Sequence, residues 1–153
     1  MRSARAALVP CAALAALAAL SAARAADWQP ILTAPGEFAV VIDVGSIRER
    51  GAAVTASLRI TYKREQHIRQ ERIYRSAQQL WEFDCKRARY ALLEAKNFAG
   101  PDGTGELVAS YSWPQDTGWS STGASGESAA ILHYVCAHAQ GGGAGATDPK
   151  ATR

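Results

Sequence analysis

Glu82 and Asp84 are the two residues whose types and spacing come closest to a catalytic pair. They lie in the stretch WEFDCK at positions 81–86, where apolar and polar residues alternate as in a β-strand. Both carboxylates would project from one face, about 6.5–7 Å apart, which overlaps the separation found in glycoside hydrolases. Three basic residues follow within five positions, so ordinary ion pairing at the surface explains the pair better. We therefore assign no catalytic residue and expect a non-enzymatic protein.

The histidines near the C-terminus do not have the spacing of a metal site. His133 and His138 are five residues apart, about 140° around a helix, whereas Zn²⁺ needs three or four converging ligands. Cys136 lies between them but is the one plausible disulfide partner of Cys85. No G-x-S-x-G nucleophile elbow occurs, and the glycine clusters lack the lysine of a phosphate-binding loop. No metal ligand and no cofactor are predicted.

The first 25 residues have the pattern of a secretory signal peptide. Two arginines precede an alanine- and leucine-rich run at positions 12–20, and the sequence ARA at 23–25 offers a cleavage site. The run is shorter than the roughly 20 apolar residues of a membrane span, so none is expected after cleavage. Cys11 follows a proline, which does not suit lipidation. We expect export to the periplasm, the cell surface or the medium.

Cleavage changes the charge and the cysteine count of the chain. The whole sequence has 17 Lys and Arg against 14 Asp and Glu, and three of the arginines lie before position 26. The remaining domain is therefore neutral, and its net charge gives no support for nucleic acid as a partner. Cys85 and Cys136 are the two cysteines left, and an even number in an exported domain favours a disulfide.

Apolar residues that alternate with polar ones predict an antiparallel sheet with one buried face. The strands are expected at 38–43, 53–62, 70–74, 81–85 and 106–113. Residues 27–37 are expected to be a lead-in, 63–69 a polar loop and 76–79 a bend. Residues 87–98 suit a helix by propensity and a strand by alternation, and the strand is favoured.

A single helix is predicted at the end of the domain. Ser125 can cap it and Glu127 suits its first turn, where a negative charge interacts well with the helix dipole. Its buried stripe would consist of Leu132, Val135, Cys136 and Ala139. The glycine-rich residues 140–153 are expected to be a disordered tail.

The strongest functional signal is an excess of basic residues between Arg59 and Arg89. Nine bases and four acids give this segment a local charge of +5, and adjacent strands would place them on one polar face and its rim. One interpretation is a surface for an acidic partner, such as a matrix protein or a glycosaminoglycan. The other is a solvated face whose charges prevent pairing between sheets. The large aromatic residues are assigned to the core: Trp81, Trp113, Trp119 and Tyr111.

Five segments resemble the surface-adhesin protein E family of bacterial exported proteins, and the resemblance spans about residues 28–138. These segments are VVIDVGSI (40–47), YRSAQQLWEFDCK (74–86), R-x-R-Y-x-L-L (87–93), GPDGTGELV (100–108) and ESAAILHYVC (127–136). The resemblance implies an α+β fold: a single curved antiparallel β-sheet of about five to six strands, with a C-terminal helix tethered by the disulfide Cys85–Cys136. It also implies that residues 87–98 form a strand.

The resemblance further implies a surface adhesin that binds host extracellular-matrix or serum proteins, with the ligand-binding rim expected at Arg64, Arg69, Arg72 and Arg75. Two features depart from the family pattern. The chain lacks a suitable lipidation site, and Glu71 stands beside Arg72. The alternative is a soluble periplasmic structural or envelope-accessory protein without a host ligand. The expected organisation is a signal peptide (1–25), an adhesin-like domain (26–139) and the tail (140–153).

Overall fold

The computed structural model describes residues 25–69, 72–115 and 117–141. Within these residues it contains seven strands, a 3₁₀ helix at Pro101–Gly103 and one α-helix. The strands and the α-helix are β1 (Trp28–Ala34), β2 (Phe38–Arg50), β3 (Ala53–Ile68), β4 (Arg72–Asp84), β5 (Arg89–Phe98), β6 (Leu107–Ser112), β7 (Ser120–Ser121) and α1 (Glu127–Gly141).

The strands form one antiparallel sheet in the order β1-β2-β3-β4-β5-β6, so each strand lies beside its neighbour in the chain. Short connections between successive strands favour this arrangement. The two-residue strand β7 pairs with the start of β5, whereas β6 pairs with the other end of β5. The predicted fold class is confirmed, and residues 89–98 form a strand as expected.

The core lies between α1 and one face of the sheet. Ile42, Phe83 and Val135 are fully buried, and they belong to one cluster that joins β2, β3, β4 and α1. On α1 the buried residues include Leu132 and Cys136, as the helical spacing predicts. The helix continues through Gly141, and residues 142–153 lie outside the described part of the chain.

The predicted disulfide is present between Cys85 and Cys136. Cys85 follows the last residue of β4, and the two Cα atoms are 5.8 Å apart, within the usual range for such a bond. Their separation in sequence is 51 residues. The bond therefore fixes α1 to the end of a central strand and adds a covalent constraint to the packing of the helix.

Several expected loops and bends are instead parts of strands. Residues 27–37 contain β1, whose proline at position 30 is tolerated because β1 is an edge strand with a bulge there. Near Gly45 the strand β2 contains a bulge. At this bulge Ser46 Oγ donates to the Asp43 carbonyl oxygen at 2.6 Å and accepts from the Ser57 N–H at 2.8 Å, which keeps β2 attached to β3.

The glycine-rich turn between β5 and β6 closes against β3 and β4. Ser76 is fully buried, and its Oγ donates to the Gly100 carbonyl oxygen at 2.7 Å and accepts from the Gly103 N–H at 2.8 Å. Thr61 Oγ1 lies 2.7 Å from Asp102 Oδ1 and donates to it. Gly103 has a φ of +74°, which glycine adopts without strain. This turn fixes the point where β3 and β4 leave the rest of the sheet.

Candidate functional site

We call residues 63–75 the basic arm. In its described residues, 63–69 and 72–75, β3 and β4 extend beyond their neighbours as a two-stranded projection. The last pair between β2 and β3 at this end joins Phe38 to Tyr62, and the last pair between β4 and β5 joins Phe98 to Ser76. Within the arm, β3 and β4 pair with each other up to the pair of Ile68 with Arg72. The polar loop expected at 63–69 is therefore wrong for most of its length: residues 63–68 continue β3, and Arg69 follows the end of the strand.

The four predicted site residues, Arg64, Arg69, Arg72 and Arg75, all lie on the basic arm. Arg64, Arg69 and Arg72 are exposed, and Arg75 is half-buried. Arg69 has a φ of +52° where the chain leaves β3. In the described part of the chain, no carboxylate lies within ion-pair distance of these four guanidinium groups.

The basic arm has a positive charge of its own. Its sequence contains five lysines and arginines against two glutamates, a net charge of +3. Ile73 adds an apolar side chain that is 43% exposed. Arginine is one of the residue types enriched at protein interfaces.

The other bases of the +5 segment lie elsewhere, so the prediction that all nine share one face is wrong. Arg87 and Arg89 follow the opposite end of β4, and twelve strand residues at about 3.3 Å each place that end about 40 Å from Arg72. Both bind Asp84, at 3.1 Å and 3.0 Å. Arg59 instead lies over the ring of Trp28, 4.5 Å from its centroid.

Glu82 and Asp84 are buried, which contradicts their assignment to a solvated face. Their exposed fractions are 5% and 6%. Burial raises the pKa of Asp84, but the Arg87 backbone N–H and the guanidinium groups of Arg87 and Arg89 outweigh it and hold that pKa below its usual range. Asp84 therefore organises the turn between β4 and β5. Glu82 has a buried Oε2 atom without a hydrogen-bond partner among the described residues.

Two of the four aromatic residues assigned to the core are exposed. Tyr111 and Trp113 stack with centroids 5.9 Å apart and are 41% and 43% exposed, because β6 is an edge strand outside the area that α1 covers. Trp81 packs against the core, as expected. Trp119 is half-buried beneath the guanidinium group of Arg89.

The residues considered as metal ligands are not arranged for metal binding. His133 is exposed on α1, and His138 Nδ1 lies 3.0 Å from the Tyr134 carbonyl oxygen. Cys136 is engaged in the disulfide. Within residues 25–69, 72–115 and 117–141, no group of three or more potential ligands could hold a metal ion. The helix in this part of the chain is also not long and apolar enough to cross a membrane.

Comparison with known proteins identifies the family. The model of the family described as surface-adhesin protein E matches residues 28–137. The selenomethionine form of protein E from Haemophilus influenzae aligns with a TM-score of 0.50 at 16% identity, over 71% of this chain and 91% of that one. Another Haemophilus influenzae protein E structure gives 0.52 at 14% identity, over 72% and 83%.

At these identities the structural likeness concerns the fold alone, and no curated protein matches the sequence. The family match covers most of the chain, including the strands that carry the basic arm and the disulfide-bound helix. A surface-adhesin family agrees with an exported, non-enzymatic protein. The chain therefore belongs to the surface-adhesin protein E family.

Proposed function

We propose that this protein is a surface adhesin that binds a host matrix or serum protein through the basic arm, residues 63–75. The observation that carries this proposal is the projection of a segment with a net positive charge beyond the sheet. Arg64, Arg69 and Arg72 are exposed, and no described carboxylate is paired with them. An acidic surface on the partner would complement this charge and accelerate association.

The shape of the basic arm supports contact with a large partner. A two-stranded projection exposes both of its faces, so a macromolecule can reach side chains on either side. Ile73 offers an apolar contact between the charged residues. The arginines can each form two parallel hydrogen bonds to a carboxylate, which gives orientation as well as attraction. At the opposite end of the sheet, by contrast, Arg87 and Arg89 are paired with Asp84.

Solid-phase binding to immobilised matrix proteins tests the proposal. The variant combines Arg64→Glu and Arg72→Glu, two exposed positions on the basic arm. The matched control combines Arg50→Glu and Lys86→Glu, which are exposed at the opposite end of the sheet and change the net charge equally. We expect at least a tenfold loss of affinity for the first variant, about 1.4 kcal/mol, and little change for the control.

Equal losses in both variants would indicate attraction by overall charge and would contradict a role for the basic arm. Unchanged binding in the first variant would do the same. Heparin as a soluble competitor distinguishes partners: strong inhibition at low concentration would favour an acidic polysaccharide over a matrix protein. Binding should also weaken as salt rises, because the arginines are exposed and screened.

The proposed location is the cell surface after removal of a signal peptide at residues 1–25, which leaves a domain at 26–139. The sequence ARA at 23–25 and the composition of the preceding run support export. Protease treatment of intact cells, with the mature mass taken from the same sample, tests this. Protection until the outer membrane is opened, with a mass that starts at Ala26, would favour a soluble periplasmic protein instead.

A further inference from the structure

A cleft of about 390 Å³ opens between the first turn of α1 and the sheet. This volume lies in the range of small-molecule sites. Four aromatic residues from four strands line it, together with one amide and one carboxylate: Phe38, Tyr62, Trp81, Tyr90, Gln79 and Glu127. It lies on the face of the sheet that α1 covers, and neither Asp84 nor its ion-pair partners are among the described residues that line it.

The aromatic side chains of the cleft are held in place by their own contacts. Trp81 and Tyr90 stack with centroids 4.5 Å apart and an angle of 14° between their planes. Trp81 Nε1 donates a hydrogen bond to Gln79 Oε1 at 2.7 Å. Tyr62 meets Tyr74 edge to face at 5.7 Å. A ligand would therefore meet walls that are already ordered, which lowers the entropy that binding costs.

The charge of the cleft favours a cation. Among the described residues that line it, Glu127 is the one acidic side chain, and none is Lys, Arg or His. Burial raises the pKa of Tyr62 to about 12, and the neighbouring Tyr74 and the Glu127 carboxylate add to the effect. The negative charge of Glu127 in the first turn also offsets the positive end of the helix dipole, which would otherwise attract an anion.

The surroundings do not reverse this charge. An adjoining depression shares Phe38 and Tyr62 with the cleft and contains one acid, Glu37, and one base, Arg64. Their charges offset each other. Glu127 itself is exposed and forms no ion pair with a described residue, so its carboxylate is available to a ligand.

We propose that the cleft binds a small organic cation with a methylated ammonium head, of the choline class. Aromatic rings attract such a cation through their electron-rich faces. Its methyl groups make no hydrogen bonds, so aromatic and aliphatic walls satisfy it, and Glu127 supplies the counter-charge. A metal ion fits poorly because it needs several oxygen ligands and one carboxylate is present in the described lining.

Calorimetric titration of the full chain with choline chloride, at constant ionic strength, tests this site. The uncharged isostere 3,3-dimethyl-1-butanol has nearly the same shape and reports the contribution of the charge. We expect saturable binding of choline and affinity for the isostere at least tenfold lower. Glu127→Gln should weaken choline binding about three- to tenfold. Glu106→Gln removes an exposed carboxylate remote from the cleft and should leave binding unchanged.

The proposal fails if choline shows no saturation by about 10 mM, where a site with a Kd of about 1 mM would be mostly filled. It also fails if the isostere binds as tightly as choline, because the cation would then contribute nothing. Equal effects of Glu127→Gln and Glu106→Gln would place binding elsewhere or attribute it to net charge. Since both acids are exposed, neither substitution is expected to unfold the domain.

Discussion

Replacement of both disulfide cysteines should greatly destabilise the domain. The bond joins residues 51 positions apart, so its absence releases a long loop in the unfolded chain. The chain-entropy relation gives a loss of about 4 kcal/mol for a loop of this length. Typical domains have a total free energy of unfolding of about 5–15 kcal/mol. Cys85→Ala with Cys136→Ala should therefore leave a marginally stable protein.

Urea unfolding followed by tryptophan fluorescence measures this effect. The variant should unfold at a lower urea concentration and with a steeper slope, because its unfolded state exposes more surface. The wild-type chain after chemical reduction is the matched control, since it keeps both sulfur atoms and loses the bond alone. Its stability should fall almost to that of the variant, and the remaining difference reports the packing of Cys136, which is 8% exposed.

The reasoning is refuted if reduction lowers the free energy of unfolding by less than about 1 kcal/mol, well below the loop-closure value. That result would mean that the packing of α1 alone fixes the helix, through Ile131, Leu132 and Val135. Reaction of two thiols in the unreduced native protein would contradict the bond itself.

Three further predictions concern single residues. Phe83→Ala should lower the free energy of unfolding in urea by about 3–5 kcal/mol, because the side chain is fully buried. Leu107→Ala, at an exposed position, should lower it by less than about 1 kcal/mol. Folding lowers the pKa of Asp84, so its ionised carboxylate stabilises the domain at pH values above the unfolded pKa, and this stabilisation is lost as pH falls. Asp84→Asn should therefore lower the free energy of unfolding at pH 7 and make that free energy depend less on pH in the acid range. The raised pKa of Tyr62, about 12, means that stability declines as pH rises from 10 towards 12, and Tyr62→Phe should reduce this decline in thermal unfolding.

The parts of the fold predicted well are those with one buried face. In β3 the apolar residues Val54, Ala56 and Leu58 alternate with polar ones because α1 covers one side of the sheet. The buried stripe on α1 and the disulfide between Cys85 and Cys136 were predicted equally well. The β3 half of the basic arm was missed because both faces of the arm contact solvent, so no apolar alternation marks residues 63–68. The β4 half was expected as part of a strand at 70–74. β1 was missed because it contains Pro30, which an edge strand tolerates at a bulge.

The candidate site was predicted by residue type but not by arrangement. The sequence alone could not separate the arginines of the basic arm from Arg87 and Arg89, because the separation depends on the length of β4 and on the buried position of Asp84. The aromatic cleft was missed for a related reason. Phe38, Tyr62 and Trp81 lie on three different strands, and only their register places them beside Glu127.

Adhesion of living cells tests the central claim most directly. Cells that display the wild-type chain, the Arg64→Glu/Arg72→Glu variant or the Arg50→Glu/Lys86→Glu control would be compared on matrix-coated surfaces at equal surface levels. The account predicts that the control adheres like wild type and that the basic-arm variant adheres no better than cells without the protein. Equal adhesion of all three, or no surface display of the wild-type chain, would contradict it.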